Sequence, residues 1–402
     1  VLLALAATPG LAQHEHHEPA FPPFASGTSW LPAAAPLRGF HSTVLGWLVM
    51  LHGSVFAQYV RESGPRGNYQ FGSVNWFMGE AERVLAGGTV RIRAMASAEV
   101  LTVTDAGYPQ LLQVAQPYKG GTLPDRMHPH EMVSEAALMY DRNVGAGLRA
   151  SLYLAAVGEP ALGPVAYLHR PSAANDPTAP LGHHAQDVSH ESFGVVTMGV
   201  FSRRVHLEAS LFNGAHPDEV RTDFDYEGAR LNATAVRITV NPNDEWSIAA
   251  SGSYLPATEG AHAHGALRRY GLAILQSESR RSVALIWGAN VPSDTRRVLH
   301  TALLETNLEL TPTSALFGRL EYVTRTDEEL GLVGSVPSEV KIGALAVGYA
   351  RRVFAWRGVG VWAGIRANAE ALPEELELFY GTRTPTGFIA YLQLRPPLIT
   401  ER

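Results

Sequence analysis

Thr89-Val90-Arg91-Ile92-Arg93-Ala94-Met95-Ala96-Ser97-Ala98-Glu99-Val100 reads as a strand with two unlike faces. Successive side chains of an extended chain point to opposite sides. Val90, Ile92, Ala94, Ala96 and Ala98 therefore share one face, and Arg91, Arg93, Ser97 and Glu99 share the other. The same alternation recurs at Val205–Leu211, Leu304–Leu310, Leu316–Tyr322 and Phe388–Arg395. In the 229–240 segment it loses register near Ala235-Val236, which predicts a bulge. One apolar and one polar face suits a sandwich facing water or a barrel facing lipid, and alternation alone does not separate them.

The connections separate them. Seven are tight: Ala86-Gly87-Gly88, Asn143-Val144-Gly145, Ser202-Arg203-Arg204, Asn241-Pro242-Asn243-Asp244, Ser279-Arg280-Arg281, Thr311-Pro312-Thr313 and Trp356-Arg357-Gly358. The others are longer and polar, as at Asp105–Pro129 and Glu159–Ser189. Short turns at one end and long loops at the other are the pattern of bacterial outer-membrane barrels. The spacing predicts sixteen strands, near 43–60, 69–84, 89–103, 131–143, 147–157, 191–202, 204–214, 228–241, 244–256, 265–279, 281–291, 298–311, 314–326, 338–353, 357–370 and 386–396. The expected fold is all-β, an antiparallel transmembrane β-barrel of about 16 strands, with 14 or 12 as alternatives. An even number returns both ends to the periplasm and puts every tight turn there. Aromatic residues near strand ends are expected to form an interfacial girdle: Trp47, Tyr59, Trp76, Phe77, Tyr140, Trp246, Tyr322, Tyr349, Trp356 and Trp362.

Composition agrees. In 402 residues no apolar run is long and clean enough for a spanning helix, since His52, Gly53, Ser54 and Gln58 interrupt Thr43–Val60. A net charge of −6 without a basic block gives no support for nucleic-acid binding. Cysteine is absent, so no disulfide staples the fold. Residues 1–12 read as a signal-peptide remnant, with small residues before a cut near Ala12. Residues 13–42 read as a disordered His/Pro-rich periplasmic tail, 43–396 as the barrel and 397–402 as a C-terminal tail. No stretch before the first strand is large enough for a globular plug domain.

Histidines mark the candidate chemistry. His128 and His130 stand in one long loop, and His183, His184, Asp187 and His190 in the next. Both loops belong to the external end, so these side chains are placed to converge over the barrel mouth. Imidazole and carboxylate together suit Zn, Cu or another divalent metal. His14, His16 and His17 form a second candidate metal group in the tail. The competing reading is that loop histidines and acids only fix loop shape, with Arg126 and Arg170 as ion-pair partners. His190 and Ser192, oriented by Asp187 or Glu208, would make a base-activated serine and an outer-membrane lipid hydrolase. Inward charges are expected at Arg91, Arg93, Glu99, Glu135, Glu208, Arg230, Glu305, Glu309, Arg319, Glu321, Lys341 and Arg395, lining a lumen that sixteen strands leave wide enough for water.

The stretches Asp125-Arg126-Met127-His128-Pro129-His130, Gly158-Glu159-Pro160-Ala161-Leu162-Gly163-Pro164, His169-Arg170-Pro171-Ser172, Gly182-His183-His184 and Phe212-Asn213-Gly214 resemble an uncharacterised family of proteobacterial outer-membrane β-barrel proteins, often met beside metal-resistance genes. The resemblance implies the location and a metal connection, and carries over no site residue. The expected function is porin-like passage or binding of small polar solutes, divalent metal ions among them. The expected partners are outer-membrane lipid and those solutes.

Overall fold

The structure, a computed structural model, describes residues 21–186, 191–215, 217–226, 230–256, 265–295 and 297–399. Sixteen antiparallel strands close into a barrel, each paired with its neighbours in sequence. They are β1 (Trp47–Glu62), β2 (Tyr69–Leu85), β3 (Gly88–Ala96), β4 (Val133–Gly145), β5 (Leu148–Gly158), β6 (Ser192–Phe201), β7 (Val205–Asn213) and β8 (Leu231–Val240). They continue as β9 (Trp246–Leu255), β10 (Leu267–Ser277), β11 (Arg281–Pro292), β12 (Leu299–Thr311), β13 (Ser314–Thr326), β14 (Glu339–Trp356), β15 (Val359–Ala371) and β16 (Thr386–Arg395). Pairing of Val55–Glu62 with Gly387–Leu394 closes the ring. A further short strand, Phe40–Val44, pairs with the start of β1.

The turns explain the register. Ala86-Gly87, Ala146-Gly147 and Arg357-Gly358 each hold two successive positive φ angles, the geometry that matches strand twist in a two-residue hairpin. The expected turn at Asn143-Val144-Gly145 is instead the end of β4, because Ala146-Gly147 supplies that geometry. The bulge expected at Ala235-Val236 is absent. Pairing there is continuous on both sides, and the nearby irregularity falls at Phe212/Asn213. Ala235 is small and points inward against Met139, Tyr153 and Phe212, so its apolar character had suggested a slip that the chain does not make. The third strand, expected to reach 103, stops at Ala96 and gives way to a single helical turn at Glu99–Leu101.

Outward positions are apolar and bare: Leu207, Leu304, Leu320, Ile365 and Leu392 are all exposed, Leu207 by 59%. Contiguous exposed apolar surface on this scale is foreign to a water-facing exterior and is the lipid belt of a barrel. Trp76 and Trp362, expected in the girdle, turn into the lumen and are 8% and 3% exposed. Lys341 and Arg230 are exposed rather than lumenal. At the outer end of β14 the inward places belong to Val340 and Ile342, which pack on Leu111, Leu112, Leu330 and Leu332 of the long loops.

The lumen is filled from both ends. Described residues of the 97–132 and 159–191 loops fold inward rather than away from the barrel. From the turn end comes residues 21–38, contrary to the expectation of a tail throughout 13–42. This segment forms a narrow hairpin, with Phe24 bridging Trp30. Its tip Gly27 has φ +53 and lies against Glu159, so close that a Cβ there would sit 2.8 Å from the Glu159 carbonyl oxygen. Trp30 stacks on His206 with ring centres 4.8 Å apart. Residues 1–20, which include the remnant and His14, His16 and His17, lie outside the described residues.

Candidate functional site

The lumen wall binds its contents through paired charges. Arg93 on β3 donates to Glu135 on β4 at 2.7 Å, to the Ala25 carbonyl at 2.9 Å and to the Gly27 carbonyl. Arg237 on β8 donates to Glu208 at 3.0 Å and to the Thr28 hydroxyl at 3.2 Å. Both arginines thus hold the hairpin while a neighbouring wall carboxylate balances their charge. At the opposite wall Glu305 on β12 accepts from Arg170 at 3.1 Å, Ser172 at 2.7 Å and Arg319 at 2.8 Å. Asp176 accepts from Arg366 at 3.3 Å, and Arg319 also donates to the Thr178 carbonyl. The Tyr391 hydroxyl donates to the Asn175 carbonyl at 2.5 Å. These bonds pin the 159–191 loop across the lumen. Arg91 pairs with Glu82 and Asp141, and Glu309 with Arg38 and Arg395. Glu321 accepts from the Gly182 amide at 3.4 Å. Of the charges expected inside, Arg91, Arg93, Glu99, Glu135, Glu208, Glu305, Glu309, Arg319, Glu321 and Arg395 are placed there.

The external half brings several loop histidines together. His128 lies with its ring centre 5.7 Å from that of His184, and His183 and His184 are 4.9 Å apart on the short helix α1 (His183–Gln186). The His128 Nδ1–H donates to the Pro129 carbonyl at 2.8 Å, which leaves the lone pair on Nε2, a buried atom without a hydrogen-bond partner. Burial, and then the Arg221 charge, holds the His128 imidazole well below its ordinary value, so it is neutral. The Gln116 amide lies 3.0 Å from His184 Nδ1. His130 has a different neighbourhood. Burial disfavours its charged form, but the Glu99 carboxylate 2.8 Å from Nδ1 prevails and raises it to about 9. It is an imidazolium bound to a carboxylate, with Tyr167 at 3.3 Å from Nε2, and is poorly disposed to ligate a cation. Burial and Glu191 push Glu131 up to about 8, although Arg221 donates to it at 2.7 Å.

Sequence reasoning thus anticipated the meeting of His128, His183 and His184, and missed the capture of His130 by Glu99. His190 and Asp187 lie outside the described residues. Among the described residues, the group whose ligand atoms fall within 4.8 Å of one another is the loop trio Asp218, Asp223 and Asp225. Ser192 begins β6, whereas Glu208 pairs with Gly199 seven residues along. At the rise of a strand that is roughly 23 Å, too far for Glu208 to orient a base beside Ser192. The inserted hairpin was also missed, although Phe21, Phe24 and Trp30 within ten residues are more aromatic surface than a solvated tail carries.

A cavity of about 130 Å³ remains in the turn-side half of the lumen, between the hairpin, the 159–191 loop, β1, β12 and β16.

No protein-family model matches the chain, and no curated protein does. Solved structures do. OmpF of Salmonella typhi, in complex with daunomycin, aligns with a TM-score of 0.56 at 8% identity over 89% of this chain and 100% of that one. The anion-selective porin from Comamonas acidovorans aligns with a TM-score of 0.54 at 8% identity, over 87% and 99%. A loop-deletion mutant of OmpT from Vibrio cholerae gives 0.51 at 7% identity, over 87% and 99%. At such identities the likeness is one of fold. With its lipid-facing exterior, this chain is a sixteen-stranded outer-membrane β-barrel with the fold seen in bacterial porins.

Proposed function

We propose that the barrel passes or holds small polar solutes, and that the hairpin 21–38 and the 159–191 loop close its lumen at rest. The observation that carries this reading is the way the lumen is filled. The inserted segments are not strands of the barrel sheet; their polar attachments are chiefly side-chain bonds such as Arg93 to Ala25 and Arg319 to Thr178, beside an apolar cluster of Ala25, Leu31 and Ala35 with wall residues such as Leu275 and Ile286. The polar bonds exchange for water at small net cost when a segment withdraws, and the wall left behind is charged. The test is conductance in planar bilayers, comparing the full chain with a variant lacking residues 21–38. The full chain is expected to conduct rarely and in small steps, the deletion often and in larger ones. Failure of both to conduct in any salt would end the reading.

A second reading, binding of a divalent metal by the external histidines, is favoured by His128 Nε2, neutral, buried and without a hydrogen-bond partner beside the His184 ring. Neutral imidazole is a common ligand for zinc and copper. Calorimetric titration of the full chain with Zn²⁺ and Cu²⁺ tests it. Heat that persists unchanged in His128→Ala would assign the binding elsewhere.

A further inference from the structure

The cavity on the turn side has a composition unlike the rest of the lumen. Elsewhere in the lumen most buried arginines are matched by a carboxylate, as Arg93 is by Glu135, Arg237 by Glu208 and Arg319 by Glu305. Here five guanidiniums line the space with two carboxylates, Glu278 and Glu309; Arg170 is matched by Glu305 behind the wall, which leaves Arg38, Arg280, Arg281 and Arg395 to those two. Arg281 is matched by Glu278 at 2.6 Å. Arg38 and Arg395 share a single oxygen of Glu309, at 2.9 and 2.7 Å. Arg280 spends its donors on the Glu309 and Leu310 carbonyls. The cavity therefore carries an excess of positive charge. Arg395 is 3% exposed, yet its Nε has no hydrogen-bond partner, and His52 Nε2 across the cavity has none either.

The remaining lining is mostly apolar, with polar side chains such as Ser54, Asn307 and Gln393 among it. Trp76 and Phe24 flank the space with Leu31 and Leu37. Trp76 packs between His52 and His169, ring centres 5.3 and 4.7 Å away. A volume of about 130 Å³ is on the scale of cavities that take up a benzene-sized molecule, roughly 150 Å³.

From this combination we infer that the cavity is a binding site for small organic carboxylates with an apolar or aromatic body. The inference rests on the reading of the lumen as a solute compartment and names the solute class. Guanidinium presents parallel donors that match a carboxylate, and an anion relieves the surplus charge that Glu309 divides between two arginines. The ring or alkyl body lies against Trp76 and Phe24, where burial of apolar surface adds affinity. A cation is repelled by the same arginines. An inorganic anion gains the charge and forgoes the apolar wall. Because Phe24, Leu31 and Arg38 belong to the inserted hairpin, the site exists only while the hairpin is seated, and an occupant holds it in place.

Benzoate is the probe, titrated calorimetrically into the detergent-solubilised full chain, with benzamidine, benzyl alcohol and inorganic phosphate as comparisons. Benzoate is expected to bind with a dissociation constant below about 1 mM, and each comparison about tenfold more weakly or worse. Arg395→Gln and Arg38→Gln are each expected to weaken benzoate about tenfold; Arg38 lies outside the barrel wall, so that variant leaves closure of the barrel intact. Deletion of 21–38 is expected to abolish binding. Absence of benzoate binding, equal binding of benzamidine, or unchanged affinity in Arg38→Gln would overturn the site. Conductance is read separately, so a deletion variant that conducts, together with a full chain that ignores benzoate, refutes this inference and leaves the channel reading standing.

Discussion

Replacing Glu305 by Gln removes one charge from the most crowded anchor in the lumen. Its two carboxylate oxygens accept from Arg170, Ser172 and Arg319, and the side chains of Glu305 and both arginines are at most 1% exposed. The amide keeps the shape but turns one acceptor into a donor facing guanidinium donors. Arg170 then has no carboxylate at this anchor, and Arg319 keeps only Asp176 at 3.5 Å, which Arg366 already engages. Breaking a buried pair by removing one partner costs about 3–5 kcal/mol. The amide retains some bonds, so about 3 kcal/mol is the working figure. The cost falls on the closed position of the 159–191 loop, since β12 keeps its ladder with β11 and β13. At 1.4 kcal/mol per tenfold, the open population rises by about a hundredfold. Single-channel recording reads that as open probability, and trypsin accessibility reads the loop itself. Glu278→Gln is the control: its pair with Arg281 is about half exposed and contributes at most about 1 kcal/mol. Wild-type open probability and wild-type protection in Glu305→Gln would refute the argument that this anchor holds the loop.

Three further outcomes are expected. Gly27→Val meets both a positive φ and the Glu159 carbonyl, so it should unseat the hairpin tip and raise conductance toward that of the 21–38 deletion; unchanged conductance would show that the tip seals nothing. His130, held up to about 9 by Glu99 after burial has opposed it, gains stability from its charged form below its ordinary value of 6.5. That contribution fades as pH rises from about 6.5 through 9, so hydrogen exchange in the 97–132 loop should accelerate over this window in the wild type and not in His130→Gln. Leu320→Arg puts a cation midway along the lipid face of β13, where Leu320 is 55% exposed. It should destabilise the barrel in lipid vesicles by about 2–4 kcal/mol, and an unaltered urea midpoint would contradict the placement of that face.

The strands were legible because their outward faces all meet one solvent. Val205, Leu207, Ala209 and Leu211 are exposed in turn, and His206, Glu208, Ser210 and Phe212 are buried in turn. Lipid asks only that a residue be apolar, so a period of two is written plainly. The inward faces answer to whatever fills the lumen, and that is settled between residues far apart in the chain. Trp76 lies inside because His169 of a distant loop packs on it. Val340 and Ile342 displace Lys341 from the interior because the 97–132 loop brings Leu111 and Leu112 to them. The seat of the hairpin was hidden for the same reason: its aromatic residues hint at burial, but nothing local to residues 21–38 announces that Arg93 offers donors to the Ala25 and Gly27 carbonyls and Arg237 one to the Thr28 hydroxyl. At the histidine cluster the loop spacing announced the meeting of His128 with His184, but only Glu99, thirty-one residues away, decides what His130 can do.

The contact between Ser26-Gly27 and the 159–191 loop joins closures that arrive from opposite sides of the membrane. The Ser26 hydroxyl accepts from the Ala166 amide at 3.1 Å, and Gly27 is pressed against Glu159. Each closure is thus the other's backstop. On the proposed reading, a pull on the chain at Phe21 is expected to slacken a loop rooted at the cell exterior, and a push on that loop from outside to bear on the hairpin within. Because the wall is a closed ladder of sixteen strands, such a device would work less as a gate with a hinge than as a sleeve around two abutting bolts, with displacement at one face felt at the other.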